Sequence, residues 1–199
     1  LCVDVILIFC SNLFVINDTK NFLFNNFDIK DLGPTNAILD IKIIKSDKGI
    51  VLSQEHYVDK LLKKFNYCDA KVVSTPFDPN IRLKKNMGES ISQYKYAQII
   101  GSLIYLSNST RPDLSFAVFK LSRYTINSSL EHWNAIERIF KYLKGTINYG
   151  IHFCRYSVVL EGFSDANWIT KSDETKTTSG YAFTLGGGAI AWKSSKRTV

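Results

Sequence analysis

Two aspartates in strand-like stretches of this 199-residue sequence could take part in chemistry. Asp4 is the charged residue of the opening run LCVDVILIFC, and Asp165 lies within GFSDANW. Burying a carboxylate is strongly unfavourable unless it is paired, hydrogen bonded or bound to a metal. Hard divalent cations prefer carboxylate oxygens, so the Asp4 side chain is a candidate metal ligand. The alternative for Asp4 is a carboxylate hydrogen bonded at a hairpin turn, and Asp165 taken by itself is an ordinary strand aspartate.

A row of cations is the third candidate feature. Arg138, Lys141 and Lys144 recur at three-residue spacing in LEHWNAIERIFKYLKGT, which has the periodicity of an amphipathic helix. The formal net charge is +7, and residues 54–150 carry fourteen Lys and Arg against eight Asp and Glu. Cations along one helix face can contact a phosphate backbone. The row is therefore a candidate nucleic-acid contact, with a solvated cationic face as the alternative.

The composition is that of a folded chain, with 45% hydrophobic and 22% charged residues. The four cysteines form no CxxC pair, which indicates reduced thiols and argues against a zinc site. The apolar opening is interrupted by Asp4, Ser11 and Asn12, and it follows no basic segment. It is also shorter than the roughly 20 apolar residues that a spanning helix needs. We therefore expect no signal peptide, no membrane contact and an intracellular location, cytoplasmic or nuclear.

The elements that must position these residues follow from periodicity and turn residues, and together they predict an α+β fold. We expect a first hairpin of LCVDVILIF and LFVI, and then a helix that ends at Phe27. A second hairpin, of ILDIKII and IVLS, is expected around SDKG. Ser53 is predicted to cap the amphipathic helix QEHYVDKLLKKFNY, and residues 70–89 are predicted to form a loop.

Three further helices and two strand patterns follow. The helices are predicted over residues 94–107, from Asp113 onwards, and over the segment with the cation row, where Gly145 is the expected C-cap. Strand patterns then return in VVLEGFSDANW and in SGYAFTLGGGAIAWKS, which GGG folds into a hairpin. Because the chain begins with Leu1 and stops just after a strand-like run, we expect both ends to lie inside a longer polypeptide.

Nine sequence blocks, in register along essentially the whole chain, resemble the Pol polyproteins of plant-like, copia-type LTR retrotransposons. The blocks are LCVDVILIFCSN, DLG, GIVLSQEHYVDKLLKKF, VSTP, IIGSLIYLSNSTRPDLSFAV, LSRY, HWNAIERIFKYLKGT, GFSDANW and TTSGYAFTLGGGAIAWKSSK. The resemblance implies the C-terminal part of a reverse transcriptase followed by the start of RNase H. It implies a partial palm with hairpins in residues 1–53, a helical thumb or connection in residues 54–150, and the first strands of a truncated RNase H-like α/β domain in residues 151–199.

The resemblance also gives the two aspartates family roles. In this family a Tyr-Val-Asp-Asp motif helps to hold the two divalent cations, Mg²⁺ or Mn²⁺, that promote nucleotidyl transfer. Its positions fall here on Cys2, Val3, Asp4 and Val5, so the second carboxylate is replaced by an apolar side chain. Asp165 matches the first metal-binding aspartate of RNase H domains, whose partner glutamate would follow the end of the sequence. We therefore expect two incomplete catalytic sites, no tightly bound metal and no DNA synthesis by this chain.

Three functions are compatible with these observations. The first is a fragment of a reverse transcriptase and RNase H that is catalytically inactive by itself, and the second is a non-catalytic module that binds nucleic acid. The third is a relic without selected activity. The expected partners are the backbone of an RNA–DNA hybrid or of a duplex, together with other Pol or Gag products.

Overall fold

A computed structural model of the chain describes residues 6, 8, 10, 12–154, 159–166 and 178–196. It consists of helices and two antiparallel sheets, in agreement with the predicted α+β class. In chain order the elements are α1 (Leu13–Asn26), β1 (Ala37–Ile38), β2 (Ile41–Ser46), β3 (Gly49–Ser53), α2 (Glu55–Phe65), α3 (Gln93–Ser109), a 3₁₀ turn (Pro112–Leu114), α4 (Ser115–Ser122), α5 (Leu130–Gly145), β4 (Gly150–Cys154), β5 (Leu160–Ala166), β6 (Thr178–Leu185) and β7 (Gly188–Lys196). Within the described ranges, no helix has the length and apolar character needed to cross a membrane.

The first helix stands where the sequence predicted a strand. LFVI was expected to form the second strand of a hairpin, but Leu13 begins α1, so that prediction is wrong. The Asn12 side chain accepts a hydrogen bond from the backbone N–H of Phe14 at 2.9 Å. This cap starts the helix in spite of the β-branched residues that follow. The predicted helix end is confirmed, because Phe27 directly follows the last turn. Asp4 and most of the strand predicted around it lie outside the described residues.

The first sheet has the strand order β1-β2-β3-β4, and all its pairs are antiparallel. The hairpin predicted around SDKG is confirmed, since Ser46 of β2 pairs with Gly49 of β3. Between β1 and β2, Leu39 and Asp40 both have positive φ, 48° and 58°, and form a two-residue turn. This turn explains why the apolar alternation of ILDIKII fails at its start. The Tyr105 hydroxyl of α3 donates to the carbonyl of Leu39 and ties the turn to the helices.

Helices α2 to α5 enclose the hydrophobic core. The apolar faces predicted for α2 and α5 are confirmed, because the side chains of Leu61, Leu62, Ile136, Phe140 and Leu143 are buried. Every residue of the main core cluster lies between positions 58 and 143. The core within the described part of the chain is therefore built by the middle, helical region, which the second sheet contacts through β7.

Two helix caps lie one residue away from the predicted ones. Gln54, and not Ser53, is the N-cap of α2, although the Ser53 hydroxyl still accepts a hydrogen bond from the N–H of Glu55 at 3.2 Å. Thr146, and not Gly145, is the C-cap of α5. In both places the predicted residue contacts the helix end, but the backbone leaves the helical conformation at its neighbour.

Strand β4 returns from the helical region to the first sheet. Gly150 lies opposite Ser53, and the whole of β4 pairs with β3. The boundary predicted between residues 150 and 151 therefore falls at the start of a strand that shares a sheet with residues 37–53. The second sheet starts only at Leu160.

The second sheet contains β5, β6 and β7 in that order. The hairpin predicted at GGG is confirmed: Gly186 and Gly187, with φ of 56° and 78°, form a two-residue turn between β6 and β7. Positive φ at both central residues is the geometry that favours glycine in such turns. The sheet is joined to the helical region by the Trp192 indole N–H, which donates to the Ser107 carbonyl at 2.7 Å.

Candidate functional site

Asp165 lies near the end of β5 and faces a cavity between the second sheet and the helices. It is opposite Gly180 of β6, and Gly180 is opposite Ser194 of β7. Opposite residues share one face of a sheet, so the glycine leaves an open space between the other two side chains. The cavity has a volume of about 280 Å³. Its walls include Thr178 and Trp192 from the sheet and Pro112, Ser115 and Phe116 from the helical region.

The donor set that the described residues provide around Asp165 does not fit a two-metal centre. Among the described residues that line the cavity, Asp165 is the one carboxylate, and its side chain is exposed. Two divalent cations need several oxygen ligands, chiefly carboxylates. Within the described ranges no group of three or more His, Cys, Asp or Glu side chains could hold a metal ion. Asp4 lies outside those ranges, so the two predicted metal ligands stay predictions.

The sequence did not predict that residues of the helical region line this cavity. Ser115 and Phe116 begin α4 and lie beside Asp165, although about fifty residues separate them in the chain. The Ser115 hydroxyl is buried and makes no hydrogen bond to any described residue. Trp192 fixes the opposite wall through its bond to α3. Local sequence patterns carry no signal for such packing between distant elements.

Arg138, the first cation of the predicted row, is bound by the loop that follows α2. Its Nε donates to the Thr75 carbonyl at 3.2 Å, and its Nη2 donates to the Thr75 hydroxyl at 2.9 Å. Its Nη1 lies 3.6 Å from a carboxylate oxygen of Asp78. The guanidinium is thus directed at groups of its own chain.

The other two cations of the row have different surroundings. Lys141 forms an ion pair with Glu137, one helical turn away, at 3.7 Å. Lys144 is half-buried in the last turn of α5, where a cation interacts favourably with the helix dipole, and no described residue forms an ion pair with it. The row therefore exists as a helix face, but its three charges are not equally available to a ligand.

Lys120 adds a fourth cation close to this face. Its ammonium lies 4.5 Å from the ring centroid of Phe77 and 5.6 Å from that of Phe116. The two rings meet edge to face, with centroids 5.5 Å apart. The loop after α2 and helix α4 are therefore held together by an aromatic pair and a cation above it.

The Arg111–Pro112–Asp113 sequence forms a buried network that supports the site. The Arg111 guanidinium is 1% exposed and donates to both carboxylate oxygens of Asp113, and its Nη2–Oδ2 distance is 2.8 Å. The Tyr142 hydroxyl donates to the same carboxylate at 2.9 Å. Burial and this hydrogen bond to Asp113 raise the pKa of Tyr142 to about 12. The network joins the start of the 3₁₀ turn to α5, so its role is structural.

His132 belongs to the N-terminal cap of α5. Its Nδ1 accepts a hydrogen bond from the N–H of Ser129 at 2.9 Å, and its ring stacks on Tyr124 with centroids 3.9 Å apart. Burial lowers the pKa of His132, while the nearby Lys84 backbone and the charge of Glu131 act in the opposite direction. A neutral imidazole that accepts a hydrogen bond from the backbone is a capping group.

Comparison with known proteins adds a second kind of observation. A family model described as reverse transcriptase (RNA-dependent DNA polymerase) matches residues 1–79. The retrovirus-related Pol polyprotein from transposon TNT 1-94 of Nicotiana tabacum is 38% identical over 98% of this chain, and that from transposon RE2 of Arabidopsis thaliana is 36% identical over 98%. An uncharacterized mitochondrial protein of Arabidopsis thaliana is 31% identical over 99% of the chain, which covers 82% of that protein.

The chain corresponds to a small part of the Pol polyproteins that it matches. It spans 15% of the length of the Nicotiana protein and 14% of the Arabidopsis one. No solved structure matches the chain.

Proposed function

The chain belongs to the family of Pol polyproteins of copia-type retrotransposons, and from this premise we propose that it is a part of the reverse transcriptase and RNase H of such an element. The observation that carries the proposal is the match over 98% of the chain to two such polyproteins. Reverse transcriptases use divalent metals and bind nucleic acid, and we extend nucleic-acid binding to this chain.

The regions of the chain are assigned in the same proposal. The sheet of β1 to β3 is the end of the palm, helices α2 to α5 are a thumb or connection, and the sheet of β5 to β7 is the start of RNase H. Two features support the assignment: the core lies within the helical region, and Asp165 lies on the first strand of the last sheet. The helical region begins after β3 and is followed by β4, and β4 pairs with β3. Both ends of the helical region are therefore connected to the palm sheet.

We propose further that this chain does not catalyse polymerisation. Val5 occupies the position of the second aspartate of the family motif, and an isopropyl group cannot bind a metal. A primer-extension assay with the purified chain and Mg²⁺ or Mn²⁺ tests this proposal. We expect no template-dependent product above background. The Asp4→Asn variant is the matched control. Product that this variant still makes does not come from the Asp4 site. If the unchanged chain makes product and Asp4→Asn does not, the proposal is overturned.

Ribonuclease activity is tested separately with an RNA–DNA hybrid. We expect no cleavage above background, since one carboxylate binds Mg²⁺ too weakly to organise two metals. Cleavage by the chain that is lost in Asp165→Asn contradicts this expectation and assigns the activity to the cavity beside β5.

The alternative function is a non-catalytic module that binds nucleic acid, and the charge of the middle region favours it. Residues 54–150 carry fourteen Lys and Arg against eight Asp and Glu, and phosphate contacts supply most of non-specific affinity. Fluorescence anisotropy with a labelled RNA–DNA hybrid should show binding at low ionic strength that weakens steeply with salt. Absence of binding at low salt removes this alternative and leaves a relic without selected activity.

A further inference from the structure

A short segment of the loop after α2 lies against the helix that carries the predicted phosphate contacts. We call residues 72–78 the strap. It runs from the C-terminal end of α5 to the side of α4 and is fixed at three places. Each contact involves a different kind of interaction, so the position of the strap does not depend on a single side chain.

The first contact is steric. A Cβ atom added at Gly145 would lie 2.4 Å from Cγ1 of Val72, which is closer than real side chains approach each other. The strap therefore crosses the end of α5 at the one residue of that turn that has no side chain. The contact at the other end of the strap is aromatic: Phe77 packs edge to face on Phe116 of α4, beneath the ammonium of Lys120.

The second contact, in the middle of the strap, is with Arg138. The Thr75 carbonyl and hydroxyl oxygens accept from Nε and Nη2, and the Asp78 carboxylate lies 3.6 Å from Nη1. All three nitrogens of the guanidinium are thus directed at strap oxygens. Planar, charge-assisted bonding of this type is also how arginine binds a phosphate.

We infer that the strap and a nucleic-acid phosphate compete for Arg138, so that the strap is an intramolecular occupant of part of the nucleic-acid surface. The inference rests on the nucleic-acid binding proposed above and goes beyond it. A phosphate cannot reach the Arg138 guanidinium in its forked geometry while Thr75 and Asp78 hold it. Arg138 and Asp78 are each 29% exposed, so water and a ligand have access to the pair.

Competition for Arg138 predicts a change in salt dependence that the loss of one negative charge does not produce by itself. Removing the Asp78 charge strengthens binding of any polyanion slightly, as does removing any nearby carboxylate. If the strap also keeps Arg138 from binding phosphate, Asp78→Asn releases Arg138, which then makes one more phosphate contact. Each such contact makes the slope of log affinity against log salt concentration steeper by roughly 0.9 for a duplex.

The test measures binding of a labelled RNA–DNA hybrid to the full chain by anisotropy over a salt series. Asp78→Asn is compared with Asp69→Asn, an exposed aspartate of the same loop that has no ion pair among the described residues. Thr75→Val weakens the strap without changing the charge. We expect higher affinity and a steeper salt dependence for Asp78→Asn and Thr75→Val than for Asp69→Asn, and we expect adding Arg138→Gln to cancel the gain.

The outcomes separate the inference from the proposed function. Equal behaviour of the Asp78 and Asp69 variants, in a chain that binds, overturns the inference and leaves the proposed function intact. A large loss of affinity for Arg138→Gln in the otherwise unchanged chain also overturns it, because Arg138 would then contact phosphate with the strap in place. Absence of binding by the unchanged chain and by all variants overturns both proposals. Circular dichroism of each variant shows whether the helices are retained.

Discussion

Arg111 and Thr146 are joined by two hydrogen bonds inside the helical core. The Arg111 guanidinium donates through Nη1 to the Thr146 carbonyl at 3.0 Å and through Nη2 to the Thr146 hydroxyl at 2.7 Å. The carbonyl belongs to the C-cap of α5, where helix carbonyls lack intrahelical partners. One buried cation therefore closes the end of α5 and ties it to the segment that precedes α4. The TRPDL sequence, which helped to identify the family, acts in this structure as a packing device.

Replacing Arg111 is expected to destabilise the fold strongly. Arg111→Gln removes the guanidinium from the Asp113 carboxylate and the Thr146 oxygens. Asp113 is 31% exposed and keeps the hydrogen bond from Tyr142, so we expect stability to fall by about 2 kcal/mol. Urea unfolding followed by circular dichroism measures the change. Lys85→Gln, at an exposed position, is the control, with an expected change within about 0.5 kcal/mol. A loss below about 1 kcal/mol for Arg111→Gln contradicts the role of the network.

The pH dependence of stability should report His132. Burial holds the pKa of His132 below its usual value of 6.5, so the unfolded chain binds a proton more readily than the folded chain. Stability from the neutral ring is therefore fully present above pH 6.5 and is lost as the pH falls through the folded pKa. Protonation of Nδ1 also removes the bond from the N–H of Ser129.

The matched variant is His132→Gln, since glutamine at this position of a capping box can still accept from the N-cap backbone without titrating. As the pH falls below 6.5, we expect the free energy of unfolding to fall more steeply for the unchanged chain than for His132→Gln. Parallel pH profiles of the two proteins contradict the assignment. The absolute stability of the variant does not matter for this comparison, because the lost stacking on Tyr124 lowers it at every pH.

The turn between β1 and β2 offers a stabilising change. Leu39 and Asp40 adopt positive φ, which is unfavourable for residues with a Cβ atom, whereas Asn-Gly is the preferred pair in such turns. We expect Leu39→Asn with Asp40→Gly to raise stability by about 1 kcal/mol. The control is Asp47→Gly in the turn between β2 and β3, where φ is not positive and glycine brings no relief. Thermal unfolding distinguishes the two, and equal effects would contradict the strain argument.

Much of the helical region could be predicted from the sequence, because periodicity reports which face of a helix is buried. The burial of Ile136 and Leu143 follows from their spacing alone. The helix at LFVI could not be predicted in this way, since strand propensity opposed a single capping asparagine. The sequence supplied Arg138 as a cation on a face, but its capture by Thr75 is a tertiary contact across 63 positions, for which no local pattern exists. The family resemblance singled out Asp165 as a candidate metal ligand. The residues of the helical region that line its cavity could be found only from the structure.

Gly145 links the stability of α5 to the strap, and a pair of substitutions tests this link. Alanine is favoured over glycine in helices by up to about 1 kcal/mol, so Gly145→Ala should stabilise α5 if nothing opposes it. The added methyl group would lie 2.4 Å from Cγ1 of Val72, and valine has few alternative rotamers. We therefore expect Gly145→Ala by itself to leave the free energy of unfolding unchanged or to lower it. In a chain that already carries Val72→Ala, the same substitution should raise the free energy of unfolding by about 1 kcal/mol. Urea unfolding of the four proteins gives the coupling energy directly. A gain for Gly145→Ala in the presence of Val72 would show that the strap does not hold its position over the helix end.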